Sequence, residues 1–189
     1  KGRGIEARSR FRAAWKGLAE VEAKLLVEDA LASYRAESPA VEVVIPRLCT
    51  VIGTARTRAV DSILASRWLF GPTDYEPSFQ FLNLEDAGTL LIRCASQPGL
   101  DGAYNLAGTD TMNLETVAGV LEKKLVRLPR PMIRAAVSGL SRIGLLDFTF
   151  SDLVRVQYGT TMCTEKATKI LGKPRLSSRQ TLALWRSGA

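Results

Sequence analysis

Segments with the apolar spacing of a helix alternate along this chain with short β-branched runs, and that alternation limits the fold more than any other feature. Val27, Ala30, Leu31 and Tyr34 form one stripe and predict a helix from residue 19 to 36. Ser38-Pro39 closes it, because the residue before a proline is pushed out of the helical region. Val41 to Arg47 (VEVVIPR) reads as a buried strand whose loop opens at Leu48, with Pro46 tolerated near the strand end. A helix carrying Val60, Ile63 and Leu64 follows, then a break at Gly71-Pro72 and a strand-like run from Phe79 to Leu84.

Ala87, Leu90, Leu91 and Cys94 mark the next helix face, and Tyr104 to Leu106 a short strand before a turn at Gly108. Asn113 is placed to cap a helix bearing Leu114, Val117, Ala118 and Leu121. Lys124 to Leu128 reads as a further strand, and Pro131 opens a helix with Ile133, Ala136, Val137 and Leu140. Thr164 is placed to cap a short helix with Ala167, Ile170 and Leu171 that Gly172 and Pro174 stop. Helices and strands taken in turn predict an α/β layer architecture.

Composition removes several function classes. The chain has no histidine, so Ser-His-Asp and Cys-His catalysis and histidine-ligated metals are excluded. Cys49, Cys94 and Cys163 are odd in number, far apart and outside metal-ligand spacing, which points to reduced thiols of a cytoplasmic protein. The net charge of +7 suggests nucleic acid, but residues 1 to 18 hold six Lys or Arg against Glu6, so +5 of it lies there and +2 in the rest. The excess is local, and no basic sheet rich in aromatics accompanies it, which argues against nucleic acid. Phe11, Ala14, Trp15 and Leu18 make this basic segment amphipathic; contact with an anionic membrane surface is a minor alternative. No apolar run reaches the length of a membrane span, about 18 residues or more.

Four segments, in this order, resemble the extended short-chain dehydrogenases/reductases, the NAD-dependent epimerase and dehydratase family. They are AKLLVEDAL from Ala23, VVIPRLCTVIG from Val43, FQFLNLEDAG from Phe79 and GAYNLAG from Gly102. The ending TEKATKILGKPRLSSRQTL is similar to the family's C-terminal turn. The resemblance covers roughly residues 19 to 182, after a basic segment at 1 to 18, and matches the C-terminal half of the family. It implies part of a doubly wound, Rossmann-like parallel sheet with a smaller α/β substrate-binding lobe.

The same resemblance assigns Lys24 as the active-site lysine, which would also hold the nicotinamide ribose. Leu48, Cys49, Thr50 and Val51 would pass the nicotinamide with their backbone, and Phe79, Gln80 and Phe81 would face the substrate. The implied cofactor is NAD or NADP. Two departures matter. The family's acid/base tyrosine lies four residues before its lysine, on the same helix face, where the ammonium stabilises a phenolate. Here that position is Glu20, and no tyrosine anywhere is followed by a lysine at this spacing. Glu20 and Lys24 read first as a surface ion pair at i, i+4, and Glu20 is a poor base because the ammonium lowers its pKa. Members that act on nucleotide-diphosphate sugars often carry an arginine where this chain has Phe79, which leaves lipid-like, steroid-like or small carbonyl substrates open. Phe79, Gln80 and Phe81 are also readable as core, and Arg47 either positions the loop after its strand or is a surface residue.

Dinucleotide binding needs a glycine-rich turn between a strand and a helix. The one formal match, Gly2 to Ala7, has no strand before it and no acidic residue about 20 positions on, and is read as chance. The expected function is therefore an NAD(P)-dependent oxidoreductase or epimerase-like protein, present as a fragment that by itself binds cofactor weakly or not at all. The alternative is a non-catalytic module of the same fold that docks a protein partner. A small-molecule substrate of open class is expected, with a homo-oligomer or partner covering the open sheet edge.

Overall fold

The computed structural model describes residues 19–53, 64, 67–133, 135, 139 and 159–188. The basic segment at 1–18 and most of the expected helices around Val60 and Ala136 lie outside these residues. The chain divides into two compact units, residues 1–45 with 99–102, and residues 46–98 with 103–189.

The first unit is built on helix α1 (Ala19–Glu37), close to the predicted bounds, but the stripe that predicts it is not a buried face: Val27, Ala30 and Tyr34 are exposed and Leu31 is half-buried. The turn that follows is held by backbone bonds from Ser38 N to Tyr34 O (2.9 Å) and from Val41 N to Ser38 O (3.0 Å). Arg35 grips Asp101 with two N–H groups, and Asp101 also accepts from Val43 N (3.3 Å). Both members of this ion pair are exposed, so it orders the turn while adding about 1 kcal/mol or less.

Strands β1 (Val44–Leu48) and β6 (Gly102–Leu106) pair with each other at the two runs read as strands, but β1 is half-buried rather than buried, reaches Leu48 where a loop is expected, and carries Pro46 at its centre. In the second unit β2 (Thr50–Ile52) and β5 (Phe81–Asn83) form a parallel pair, with Thr50 opposite Phe81 and Ile52 opposite Asn83. A second parallel pair joins β3 (Trp68–Pro72) to β8 (Lys124–Leu128). Strand β4 (Ser78–Phe79) lies between β7 (Met112–Asn113), antiparallel to it, and β9 (Gly159–Thr160), parallel to it. Parallel pairs with helices between them in sequence give the α/β class the periodicity predicts.

Two local readings are corrected. Gly71-Pro72 is not a break but the end of β3, opposite Arg127 and Leu128. Proline is tolerated at a strand terminus, and Gly71 is small because a Cβ there would run into the Leu114 side chain. The run from Phe79 to Leu84 is two strands rather than one, broken at Gln80, and Leu84 already belongs to a helix. Gln80 leaves the ladder, and its side chain donates to Gly108 O (3.1 Å) and accepts from Met162 N (2.8 Å).

Helix α2 (Leu84–Ser96) begins where the Asn83 side chain accepts from Glu85 N (2.9 Å). It buries Ala87, Leu90 and Cys94 of the expected face, while Leu91 stays 36% exposed at its margin. Helix α3 (Leu114–Val120) is capped by Asn113, as expected, and Leu114, Val117, Ala118 and the following Leu121 are buried. Helix α4 (Glu165–Leu171) starts without the cap bond expected from the Thr164 side chain, turns Ala167 and Leu171 inward and ends at Gly172, whose φ of 85° favours glycine. Ile170 of that expected face is exposed.

Helix α5 (Ser178–Ser187) has no counterpart in the sequence reading. Its signal is the capping box of Ser177 and Gln180, in which each side chain meets the other residue's backbone N–H. The helix packs on β5, β2 and α3, and sets Leu182 into the apolar cluster with Ile52, Phe79, Phe81 and Met112. A polar joint fixes its start, since Ser178 Oγ accepts from Phe81 N (3.1 Å) and donates to Asp110 O (2.7 Å). Gly108 completes the joint: a Cβ there would collide with Phe81 O and lie 2.8 Å from Ser178 N. These are backbone atoms that cannot swing away. Gly108→Ala is therefore expected to destabilise the protein by about 1–3 kcal/mol, read as a lower urea midpoint at unchanged m-value.

Candidate functional site

Ligands of open α/β sheets gather at the carboxyl ends of parallel strands, so the ends of the two parallel pairs are the places to examine. At the end of β2 and β5 the chain packs tightly on itself. A Cβ on Gly53 would stand 2.6 Å from Leu84 Cβ, so the backbone at Gly53 lies close against the start of α2. Behind it Asp86, 2% exposed, accepts from Arg175 Nε (3.0 Å) and Leu176 N (2.9 Å), tying the segment before α5 to α2.

The residues expected from sequence are distributed as follows. Lys24 is exposed on α1, in the first unit. The side chain of Glu20 lies outside the described residues. Leu48 is exposed at the end of β1, Cys49 is buried, and Thr50 and Val51 are half-buried in β2. Cys49 N donates to Leu106 O (3.0 Å), so part of this backbone is already engaged in pairing. Gln80 and Phe81 are each 5% exposed, and the stacked rings of Phe79 and Phe81 (centroids 6.4 Å apart) belong to the apolar cluster. The β2–β5 register thus brings the second and third expected groups together.

Cys49 is no nucleophile at neutral pH. Burial pushes its thiol up to about 12, against weaker opposing hydrogen bonds from the Gly108 and Cys49 backbone. Burial likewise raises the Cys94 thiol. Of the three cysteines only Cys163 is exposed, and none is in a disulfide. A thiol whose folded pKa is raised stabilises the fold fully below its unfolded pKa and loses that contribution as pH rises toward the folded value. Unfolding free energy is therefore expected to fall between about pH 9 and 12, with a slope approaching 1.4 kcal/mol per pH unit from Cys49. Cys49→Ala should remove that slope in urea titrations. In the native protein a thiol reagent should modify one cysteine quickly, Cys163.

The parallel β3–β8 pair ends in an open cleft of about 360 Å³, lined by Pro72, Thr73, Asp74, Tyr75, Glu76 and Arg127. Sequence reasoning missed it because its rim is the stretch after Gly71-Pro72 that reads as a plain turn. Arg127 pairs with Glu76 and donates to Pro72 O (3.3 Å), while Glu76 also accepts from Leu114 N (2.8 Å). Arg130 pairs with Asp74 (3.0 Å) and lies over the Tyr75 ring at 4.9 Å. Each arginine is matched by a carboxylate, so the cleft offers a balanced polar lining. It shares no residue with the site expected from sequence.

A pyrophosphate is held by free backbone N–H groups at a helix start. Three helix starts in the second unit are filled by the chain itself. At α2, Asn83 takes Glu85 N, and Glu85 and Asp86 add carboxylates to the first turn. At α3, Asn113 takes Thr116 N (2.8 Å) and Glu76 takes Leu114 N. At α5, Ser177 takes Gln180 N (3.2 Å), and Asp110 takes Ser178 N and Arg179 N. These starts do not fit the phosphates of a dinucleotide. Among the described residues, no group of three or more His, Cys, Asp or Glu is placed to hold a metal ion. No helix among them is long and apolar enough to cross a membrane.

No protein-family model matches the chain, and no curated protein matches it in sequence. Solved structures do match in fold. UDP-glucose 4-epimerase from Thermotoga maritima, solved with UDP-glucose, has a TM-score of 0.60 at 16% identity, over 88% of this chain and 51% of that one. TunA, an NAD-dependent NDP-hexosamine 5,6-dehydratase of tunicamycin biosynthesis, has a TM-score of 0.60 at 17% identity, over 88% and 52%. RMD from Pseudomonas aeruginosa, complexed with NADPH, has a TM-score of 0.53 at 15% identity, over 87% and 53%. The chain spans about half the length of these structures and shares the fold of extended short-chain dehydrogenases/reductases over that half.

Proposed function

We propose that this chain is the substrate-binding half of an NAD(P)-dependent oxidoreductase or epimerase-like protein. The observation that carries the reading is the fold shared, over most of this chain, with an epimerase and an NAD-dependent dehydratase. On this reading a small molecule is the substrate, and a second copy or a protein partner covers the open sheet edge. The unpaired cysteines support a cytoplasmic setting. In the first unit Lys24 is the residue whose family role survives; in the second, Leu48 to Val51 would pass the cofactor with their backbone, while the buried Phe79, Gln80 and Phe81 answer to the core reading rather than to substrate contact.

Because the sequence holds no glycine-rich turn between a strand and a helix, residues 1–189 alone are expected to bind NAD(H) or NADP(H) weakly or not at all in calorimetry. A low-micromolar dissociation constant for this chain would overturn that expectation. The full-length product of the gene is the second arm, followed by the fluorescence of the reduced cofactor. Saturable binding there supports the enzymatic reading. Binding to neither cofactor ends it, and favours the non-catalytic module that docks a protein.

A further inference from the structure

We draw no further inference here: the strongest candidate, the aromatic face of the β3–β8 pair where Trp68 and Phe70 are 41% and 38% exposed beside Lys124, is an apolar surface, and nothing in the structure shows what covers it.

Discussion

Lys24→Met in the full-length protein is expected to lower turnover by about 10²-fold or more, the scale of a lost proton-transfer contribution, while leaving unfolding free energy within about 0.5 kcal/mol of the parent. The two readings of this residue differ in this respect. An exposed ammonium on α1 contributes to stability only through surface interactions, worth tenths of a kcal/mol in a helix. As the family's lysine it would hold ligand hydroxyls and support the proton transfer, so its removal would appear in kcat. Methionine keeps the length and helix propensity of the side chain, which separates charge from packing. Full activity in the variant would leave Lys24 as a surface residue and the catalytic assignment without a site.

Leu182→Ala is expected to lower stability by about 2–5 kcal/mol. Leu182 is 0% exposed and sits in the cluster with Ile52, Phe79, Phe81 and Met112. Its removal forfeits the transfer energy of the side chain and leaves a void that strands β2 and β5 cannot close without giving up their register. For a chain of this size that loss is roughly 4 to 20 °C in Tm. Leu184→Ala is the control, because Leu184 is 37% exposed on the same helix, and its effect should be within about 1 kcal/mol. Equal losses for the two would mean that α5 contributes through helix formation rather than through the buried leucine.

The alternation of periods revealed the α/β class because burial on one helix stripe and along a sheet leaves different spacings in the sequence. Asn113 was legible as a cap because its side chain acts within its own turn. Strand β3 was not, since Gly71-Pro72 carries a turn signal and the reason for a glycine there is the distant Leu114 side chain. Helix α5 was missed although Ser177 and Gln180 announce its start, because its apolar residues answer to strands far away in sequence. Phe79 and Phe81 show the limit for the site. An aromatic pair on a strand looks the same in sequence whether it meets a ligand or other core residues, and the structure puts these two in the core. The cleft at Arg127 and Glu76 joins positions 51 residues apart, which no local pattern reports.

The joint between Phe81 and Ser178 also sets a schedule for synthesis. Its two partners are 97 residues apart, so β5 leaves the ribosome long before the helix that covers it has been made. At about 5–20 residues per second, Phe81 and its apolar neighbours wait roughly 5 to 20 seconds without their cover. Synonymous codons that slow translation between β5 and α5 would lengthen this exposure and lower the soluble yield, with no change in the finished protein.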